Sequence, residues 1–531
     1  MSNVKSLLLA ACVMLCIDVS AVEIDVAAAQ AAASRFLQST ASGKLRASVR
    51  SLRLSHVERS QLFAEKADFY VFNTEGNGAF VIVSGDDRAP EVLGYGEGTF
   101  DMDDVPCNLQ WLLDQYRQQM DYLHAHPEAR VQRVVTSQTV VTPLLCTQWA
   151  QGEPYWNQCP MYQGRHCYTG CGATAMAQVV RYWHYPSRMP AMDAYGYVQE
   201  GGGRYLTVPG LPGADMDWDH MLDRYAGVNY TFDEANAVAS LMRYCGQAAH
   251  IWYDLMGTGL TTLLALEGMK LLGYYSGATV LLRDDFPDDE WKEKLQYQLE
   301  GGCPVIYFGH GLGSGHVFVI DGCQGDMFHL NLGWSGSSDG YYSLSAFVPH
   351  TEMNQAMLYE IFPENTGIIF SPRLYDASDV GSTSFTASWR NRTPIELVKD
   401  YTLHVQIYDP AAEGPIPSLS PSAQGDDVFV KTGLTVRSCT VSHLSPGTSY
   451  CYFVVANMLD GTTKKSKANV VTLLDGPVND VNGDGEVTVA DVDELLRAIQ
   501  TNAMGVAYDM NGDGEVNIAD VNALIDEILR R

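Results

Sequence analysis

The chain has 531 residues, 46% hydrophobic and 18% charged, which is too long for one core and ordinary for a multidomain globular protein. Its 63 acidic side chains outnumber 34 basic ones, for a formal charge of −29. That balance excludes a general nucleic-acid binder, which needs basic faces to neutralise phosphates. The first residues, MSNVKSLLLAACVMLCIDVSA, combine Lys5, an apolar run from Leu7 to Ile17 and the small residues Val19-Ser20-Ala21. This pattern predicts a signal peptide at 1–21, hence a secreted or surface-associated protein. Lipid attachment at Cys12, after Leu9-Ala10-Ala11, is the second reading. The run is too short to span a bilayer, and no other stretch reads as transmembrane.

Residues 22–138 open on the helical, Ala-rich AAAQAAASRFLQ. Strand alternation follows in Phe69–Asn73 and Ala79–Ser84, separated by an Asn-Gly turn. A further helix is expected over Asn108–His124. Val131–Val141 is polar and aperiodic, and reads as an exposed connector open to nicking. Residues 139–363 are rich in aromatics and glycine. The spacing of Met176, Val179, Val180 and Trp183 predicts a helix from Cys171 to His184, ended by Pro186. Strands are expected at Val317–Ile320 and Met327–Leu332. A helix early and strands late suggest α+β.

Residues 364–476 alternate like an all-β sandwich, with strands at Ser384–Trp389 and Cys451–Ala456. The run Leu444-Ser-Pro-Gly-Thr-Ser-Tyr450 suits a tyrosine corner, and this segment resembles a fibronectin type III module. Cys439 and Cys451 flank the turn and are candidates to pair. Residues 477–531 repeat one unit, Asp480-Val-Asn-Gly-Asp-Gly-Glu-Val-Thr-Val-Ala-Asp491 and Asp509-Met-Asn-Gly-Asp-Gly-Glu-Val-Asn-Ile-Ala-Asp520. Each copy is followed by an apolar helix, at Val492–Ile499 and Val521–Leu529.

Calcium takes six to eight oxygens on a tightly bent loop. The first copy offers Asp480, Asn482, Asp484, the Glu486 carbonyl, Thr488 and Asp491. The second offers Asp509, Asn511, Asp513, the Glu515 carbonyl, Asn517 and Asp520. Gly485 and Gly514 permit the bend. Two calcium ions are therefore expected, with Asp rather than the usual Glu at the twelfth position. The duplicated unit resembles a type I dockerin, which implies a cohesin-like partner met through Val489, Ala490, Ile518 and Ala519. A calcium-stiffened terminal cap is the plainer alternative.

Export changes what cysteine can mean, because disulfides persist outside the cytosol. Ten cysteines lie beyond the leader, seven of them between Cys146 and Cys323. An odd number leaves one thiol over unless it pairs elsewhere. Cys171 is open to four readings: half a disulfide, a zinc ligand, a buried thiol or a nucleophile. At a helix start, unpaired N–H groups would stabilise its thiolate. Gly170 and Gly172 would keep the approach open.

A nucleophile also needs a base, an orienting group and an oxyanion donor. His316 follows the glycine-rich Gly309–Gly315 and opens a strand. With a turn near Cys323–Gly325, Asn331 falls approximately opposite His316 and would orient it. Gln151 lies upstream as a side-chain amide donor, to act with the Cys171 N–H.

Four separate runs then resemble the streptopain family of secreted papain-like cysteine peptidases. They are Gln151-Gly-x-Pro-Tyr, Gly170-Cys171-x-Ala-Thr-Ala-x-Ala-Gln178, Gly315-His316-x-Phe-Val-Ile-Asp-Gly322 and Asn331-x-Gly-Trp334. Val83-Ser-Gly-Asp-Asp-Arg88 and Leu93-Gly-Tyr95 resemble its inhibitory propeptide. The resemblance spans about residues 22–363. It implies Cys171 as nucleophile, His316 as base and then acid, Asn331 as orienter and Gln151 as oxyanion donor. It further implies a zymogen cut near 131–141 and a preference for an apolar residue at the substrate's second position. Leu332 stands where the family usually has Trp, which would thin the shield over an Asn–His contact.

The combined expectation is a papain-like α+β core behind an α+β propeptide, then an all-β sandwich, then a small helical calcium-binding segment. The activity expected is that of a cysteine endopeptidase acting on proteins or peptides, with no cofactor for catalysis. The alternative is a weak or inactive scaffold that binds through its sandwich and dockerin-like segments. A zinc site from Cys159, His166, Cys167 and Cys171 is a further alternative, as is a Cys159–Cys167 disulfide.

Overall fold

A computed structural model of the chain describes residues 24–39, 52–76, 78–129, 139–198, 205–255, 257–311, 314–345, 355–364, 370–408, 427–475, 479–482, 486–501, 508, 510–511 and 515–530. The expected leader and most of the 131–141 connector lie outside these residues. The chain divides into two compact units, Met1–Pro363 and Glu364–Arg531. No helix among the described residues is long and apolar enough to cross a membrane.

In the first unit eleven strands among the described residues form one sheet. Leu52–Arg59, Ala67–Thr74, Ala79–Ser84 and Val92–Glu97 run antiparallel as a meander. Tyr95 and Gly94 then pair with Tyr341 and Tyr342, so the N-terminal meander is continuous with the strands that follow residue 139. Gly340 permits this junction: a Cβ there would lie 2.6 Å from the Tyr95 carbonyl oxygen. Stacked Tyr95 and Tyr341 rings, 5.0 Å apart, close over it.

Side-chain alternation along Ser314–Gln324 separates two cores. Val317 and Val319 face a layer built on helices Gly170–Trp183, Phe232–Ala248 and Thr262–Leu271. Phe318 and Ile320 face the other layer, with helices Cys107–Ala125 and Asp288–Glu300. The Cys107–Ala125 helix is held at its far end by Arg88. That guanidinium pairs with Asp86 and donates to the carbonyls of Leu123, His126 and Ala129, adding a charged donor to the end of the helix and the turn after it.

In the second unit Phe385–Arg390, with Arg373–Leu374 and Ser438–Val441, forms a three-stranded sheet. A five-stranded sheet centred on Val398–Ile407 and Ser449–Met458 supplies the other layer. Trp389, Tyr401 and Tyr452 are buried in the shared core. The Ser445 N–H donates to the Tyr450 hydroxyl at 2.9 Å, closing the expected tyrosine corner. Cys439 pairs with Ala387 in one sheet and Cys451 with Gln406 in the other, and Cys439 is a free thiol, so the suggested Cys439–Cys451 link is not made. Helices Val489–Thr501 and Ile518–Ile528 bury Leu495, Ala498, Val521 and Leu524 against each other.

Candidate active site

Cys171 is the second residue of the Gly170–Trp183 helix. Gly170 has φ +82°, and a Cβ on it would lie 1.6 Å from the Thr258 hydroxyl. A Cβ on Gly172 would lie 2.2 Å from Leu260. The two glycines therefore let Thr258 and Leu260 close onto the helix start, rather than keeping that approach open. Thr169, just upstream, donates its N–H and its hydroxyl to the Gln151 carbonyl, at 3.2 and 3.3 Å, which ties Gln151 to the same corner.

The Cys171 thiol is not stabilised as an anion here. Burial pushes its pKa up to about 11, against smaller downward pulls from the N–H groups of Val317, Gly172 and Cys171 itself. The helix start thus supplies the expected donors, and desolvation outweighs them. Cys159 and Cys167 are free thiols as well, packed in the same buried core, so the suggested disulfide is not made, and among the described residues no three His, Cys, Asp or Glu side chains are arranged to hold a metal, as the zinc reading required.

The Cys171 sulfur meets the backbone of Val317, one residue along the strand from His316. His316 is directly paired with Gly309. A Cβ built on Gly309 would meet the Trp111 ring at 2.5 Å. Directly paired residues project from the same face of a sheet, so the His316 side chain leaves its strand on the Trp111 side. That is the face on which the Cys107–Ala125 helix packs against Phe318 and Ile320. Burial lowers the His316 pKa. Cys171 thus meets the strand one residue from His316, both side chains favour their neutral forms, and Cys107, which opens the covering helix, lies close enough to the Cys171 sulfur to push its pKa up further.

Asn331 does not lie opposite His316. The turn between Gln324 and Met327, with a bulge at Asp321, sets the register so that Asn331 pairs with Val319. It therefore shares the face of Cys171. Its Nδ2 donates to the Thr147 carbonyl at 2.7 Å, and its Oδ1 accepts from Gln178 Nε2 at 3.0 Å and from the Gly333 N–H at 3.2 Å. Leu332, beside it, is buried in the opposite core, and its carbonyl accepts from Asn108 Nδ2 at 2.7 Å. Trp334 is partly exposed.

A charged cluster lies behind this strand. Asp321 pairs with His329 at 2.6 Å and accepts the Leu145 N–H at 3.0 Å, anchoring the chain that follows the connector. Asp339 accepts the Leu332 N–H at 2.8 Å, and burial pushes its pKa up to about 7.

Sequence reasoning did not give roles to Thr147, Gln178, Asn108 or Trp111. Only Gln178 carried a usable signal, since it lies seven residues after Cys171 and shares its helix face.

In the repeat, Asp491 and Asp520 are fully buried. Asp491 accepts the N–H groups of Val481, Asn482 and Thr488, and Asp520 those of Asn511 and Asn517. Each carboxylate thus draws both ends of its loop together, and Asp480 is buried beside the first. Closing a loop rich in acid and amide side chains in this way is compatible with a hard cation, although among the described residues no three acidic side chains converge on one point. Asp484, Asp509 and Asp513 lie outside the described residues.

Comparison with known proteins matches residues 149–342 to the Peptidase C10 family, 21–120 to the Spi protease inhibitor and 478–529 to the dockerin type I domain. The thiol protease/hemagglutinin PrtT of Porphyromonas gingivalis is 31% identical over 325 residues, 57% of this chain and 37% of that protein. The chain thus spans little more than a third of that relative. Streptopain of Streptococcus pyogenes is 29% identical over 344 residues, covering 60% of this chain and 85% of its own length. A prointerpain A fragment of Prevotella intermedia has a similar solved structure. Its TM-score is 0.51 and its identity 29%, over 59% of this chain and all of that one.

Proposed function

We propose, from the Peptidase C10 family to which residues 149–342 belong, that this chain is the latent precursor of a secreted cysteine endopeptidase. The observation that carries the reading is the relation of Cys171 to His316. The sulfur meets the Val317 backbone, one residue from His316, which a local rearrangement at the start of its strand would bring round to it. What prevents that rearrangement is the Cys107–Ala125 helix, most of which lies in the segment 21–120 that matches the Spi protease inhibitor.

On loss of that segment His316 turns to the Cys171 face and takes the thiol proton. The sulfur attacks the scissile carbonyl, and its oxygen takes up negative charge between the Cys171 N–H and the Gln151 side-chain amide. The imidazolium, oriented by Asn331, passes the proton to the leaving amine. Water then attacks the thioester, His316 again removing a proton, the C–S bond breaks to release the acid product, and the Cys171 thiolate is left paired with the His316 imidazolium as before the first attack. An apolar side chain is preferred at the substrate's second position.

The terminal segment binds calcium, one ion in each loop. The first is held by Asp480, Asn482, Asp484, Glu486, Thr488 and Asp491, the second by Asp509, Asn511, Asp513, Glu515, Asn517 and Asp520. Calcium would supply a charge that draws the loop oxygens together. The exposed Val489 and Ile518 suit a cohesin-like partner.

The precursor reading is tested by incubating the full chain with mild reductant and following casein hydrolysis beside the N-terminal sequence. Activity should rise together with a new N-terminus between residues 131 and 141. Full activity in the uncut chain would refute it.

A further inference from the structure

Thr147, Gln178 and Asn331 form a closed ring of hydrogen bonds beneath the candidate site. The Thr147 hydroxyl donates to Gln178 Oε1 at 2.9 Å, Gln178 Nε2 donates to Asn331 Oδ1 at 3.0 Å, and Asn331 Nδ2 returns to the Thr147 carbonyl at 2.7 Å. All three residues are buried, at 2%, 1% and 4% exposure. The ring leaves no freedom in how the amides are turned. A backbone carbonyl must face Asn331 Nδ2, and the Gly333 N–H must face its Oδ1. With that oxygen fixed, Gln178 has to present its NH2 end, and Thr147 then meets its carbonyl end.

Gln178 stands on the helix of Cys171, two turns on. Its amide therefore couples the orientation of the Asn331 oxygen to the element that carries the sulfur. The geometry points to Gln178 as a positioning residue, which fixes how the Asn331 amide is turned, so that in the active form its oxygen can exchange the longer Gly333 contact for the His316 imidazolium. This rests on the reading of Cys171, His316 and Asn331 given above. A ring built only for packing would need volume at position 178. A ring built for positioning needs a donor there, and that difference can be measured.

The experiment compares full-length chains after maturation, with active sites counted by a thiol alkylator. Gln178→Leu keeps the volume and removes the donor; kcat should fall about tenfold with KM within about twofold, the signature of an interaction made in the transition state. The alkaline limb of kcat/KM should move to lower pH, because an imidazolium without its acceptor loses its proton more easily. Gln178→Glu keeps the shape but offers an acceptor to an acceptor, and should lose at least as much. In an Asn331→Ala background, Gln178→Leu should cost nothing further.

Unchanged kcat and pH profile in both variants would overturn the inference, as would a full additive loss in the Asn331→Ala background. Should the Gln178 variants fail to fold, Thr147→Val removes only the hydroxyl donor. It should lower kcat about threefold, and an unchanged value would count against the ring. Cys171→Ala is assayed beside them. Activity retained there defeats the nucleophile reading itself, whereas activity lost there with normal Gln178 variants defeats only this inference.

Discussion

Trp111 lies against the bare face of Gly309, the residue paired with His316, so closely that a Cβ on Gly309 would sit 2.5 Å from the indole. The same ring packs on Phe318, two residues along the histidine strand, with centroids 6.4 Å apart. The Cys107–Ala125 helix therefore occupies the face from which His316 projects, and its Asn108 is hydrogen-bonded beside Asn331 through the Leu332 carbonyl. Latency follows from this contact, in the proposed account, because the helix and a base turned toward Cys171 need opposite arrangements of one strand.

Trp111→Ala should therefore loosen the precursor. Removing a buried tryptophan from such a contact costs about 3–5 kcal/mol. The expected outcome is faster conversion to the processed form, followed by gel densitometry. Conversion at the wild-type rate would show that the helix does not hold the latent state.

The Cys171 thiol, pushed up to about 11 by burial, should be about one part in a thousand thiolate at pH 8 in the precursor. Alkylation of its peptide by iodoacetamide, read by mass spectrometry, should be slow at pH 8 and rise steadily toward pH 11. After maturation it should be fast at pH 7. A precursor that is alkylated as fast as a free cysteine at pH 8 would contradict the burial argument.

Asp339, with a folded pKa of about 7, holds its proton more tightly in the folded than in the unfolded chain. Its contribution to stability is thus present at low pH and lost as pH climbs from about 4 to about 7. His329, raised overall against burial by the Asp321 charge, acts in the same sense: its contribution is lost as pH rises through its raised pKa. In a Cys171→Ala precursor, kept at full length as checked by gel, stability should fall by on the order of 2 kcal/mol between pH 5 and pH 8. Asp339→Asn keeps an acceptor for the Leu332 N–H and should flatten the slope of the thermal midpoint. An equal slope would remove Asp339 from the account.

Calcium should raise the unfolding midpoint of the terminal segment in the full chain, and a chelator should reverse it. Asp491→Ala and Asp520→Ala should each weaken the shift. No difference with and without chelator would count against metal in the repeat.

Much of the fold was legible in local pattern. The hairpin strand at Ala79–Ser84 and the helix behind Cys171 follow from periodicity and breakers, and the tyrosine corner from a motif confined to seven residues. What was not legible depended on distant contacts. The register of Asn331 turns on a bulge at Asp321 that no propensity announces. The roles of Gly170 and Gly172 depend on Thr258 and Leu260, nearly ninety residues on. The face taken by His316 follows from simple alternation, but that this face is covered depends on Trp111, about two hundred residues earlier. Leu332 packs into that second core rather than standing over Asn331, so its difference from Trp bears first on the support of the strand.

The central claim is that Cys171 is the nucleophile of a peptidase. Its most direct test is casein hydrolysis under mild reductant by the matured full chain and by Cys171→Ala. The account predicts activity in the first and a loss of at least about a thousandfold in the second. Equal hydrolysis by the two chains would contradict it.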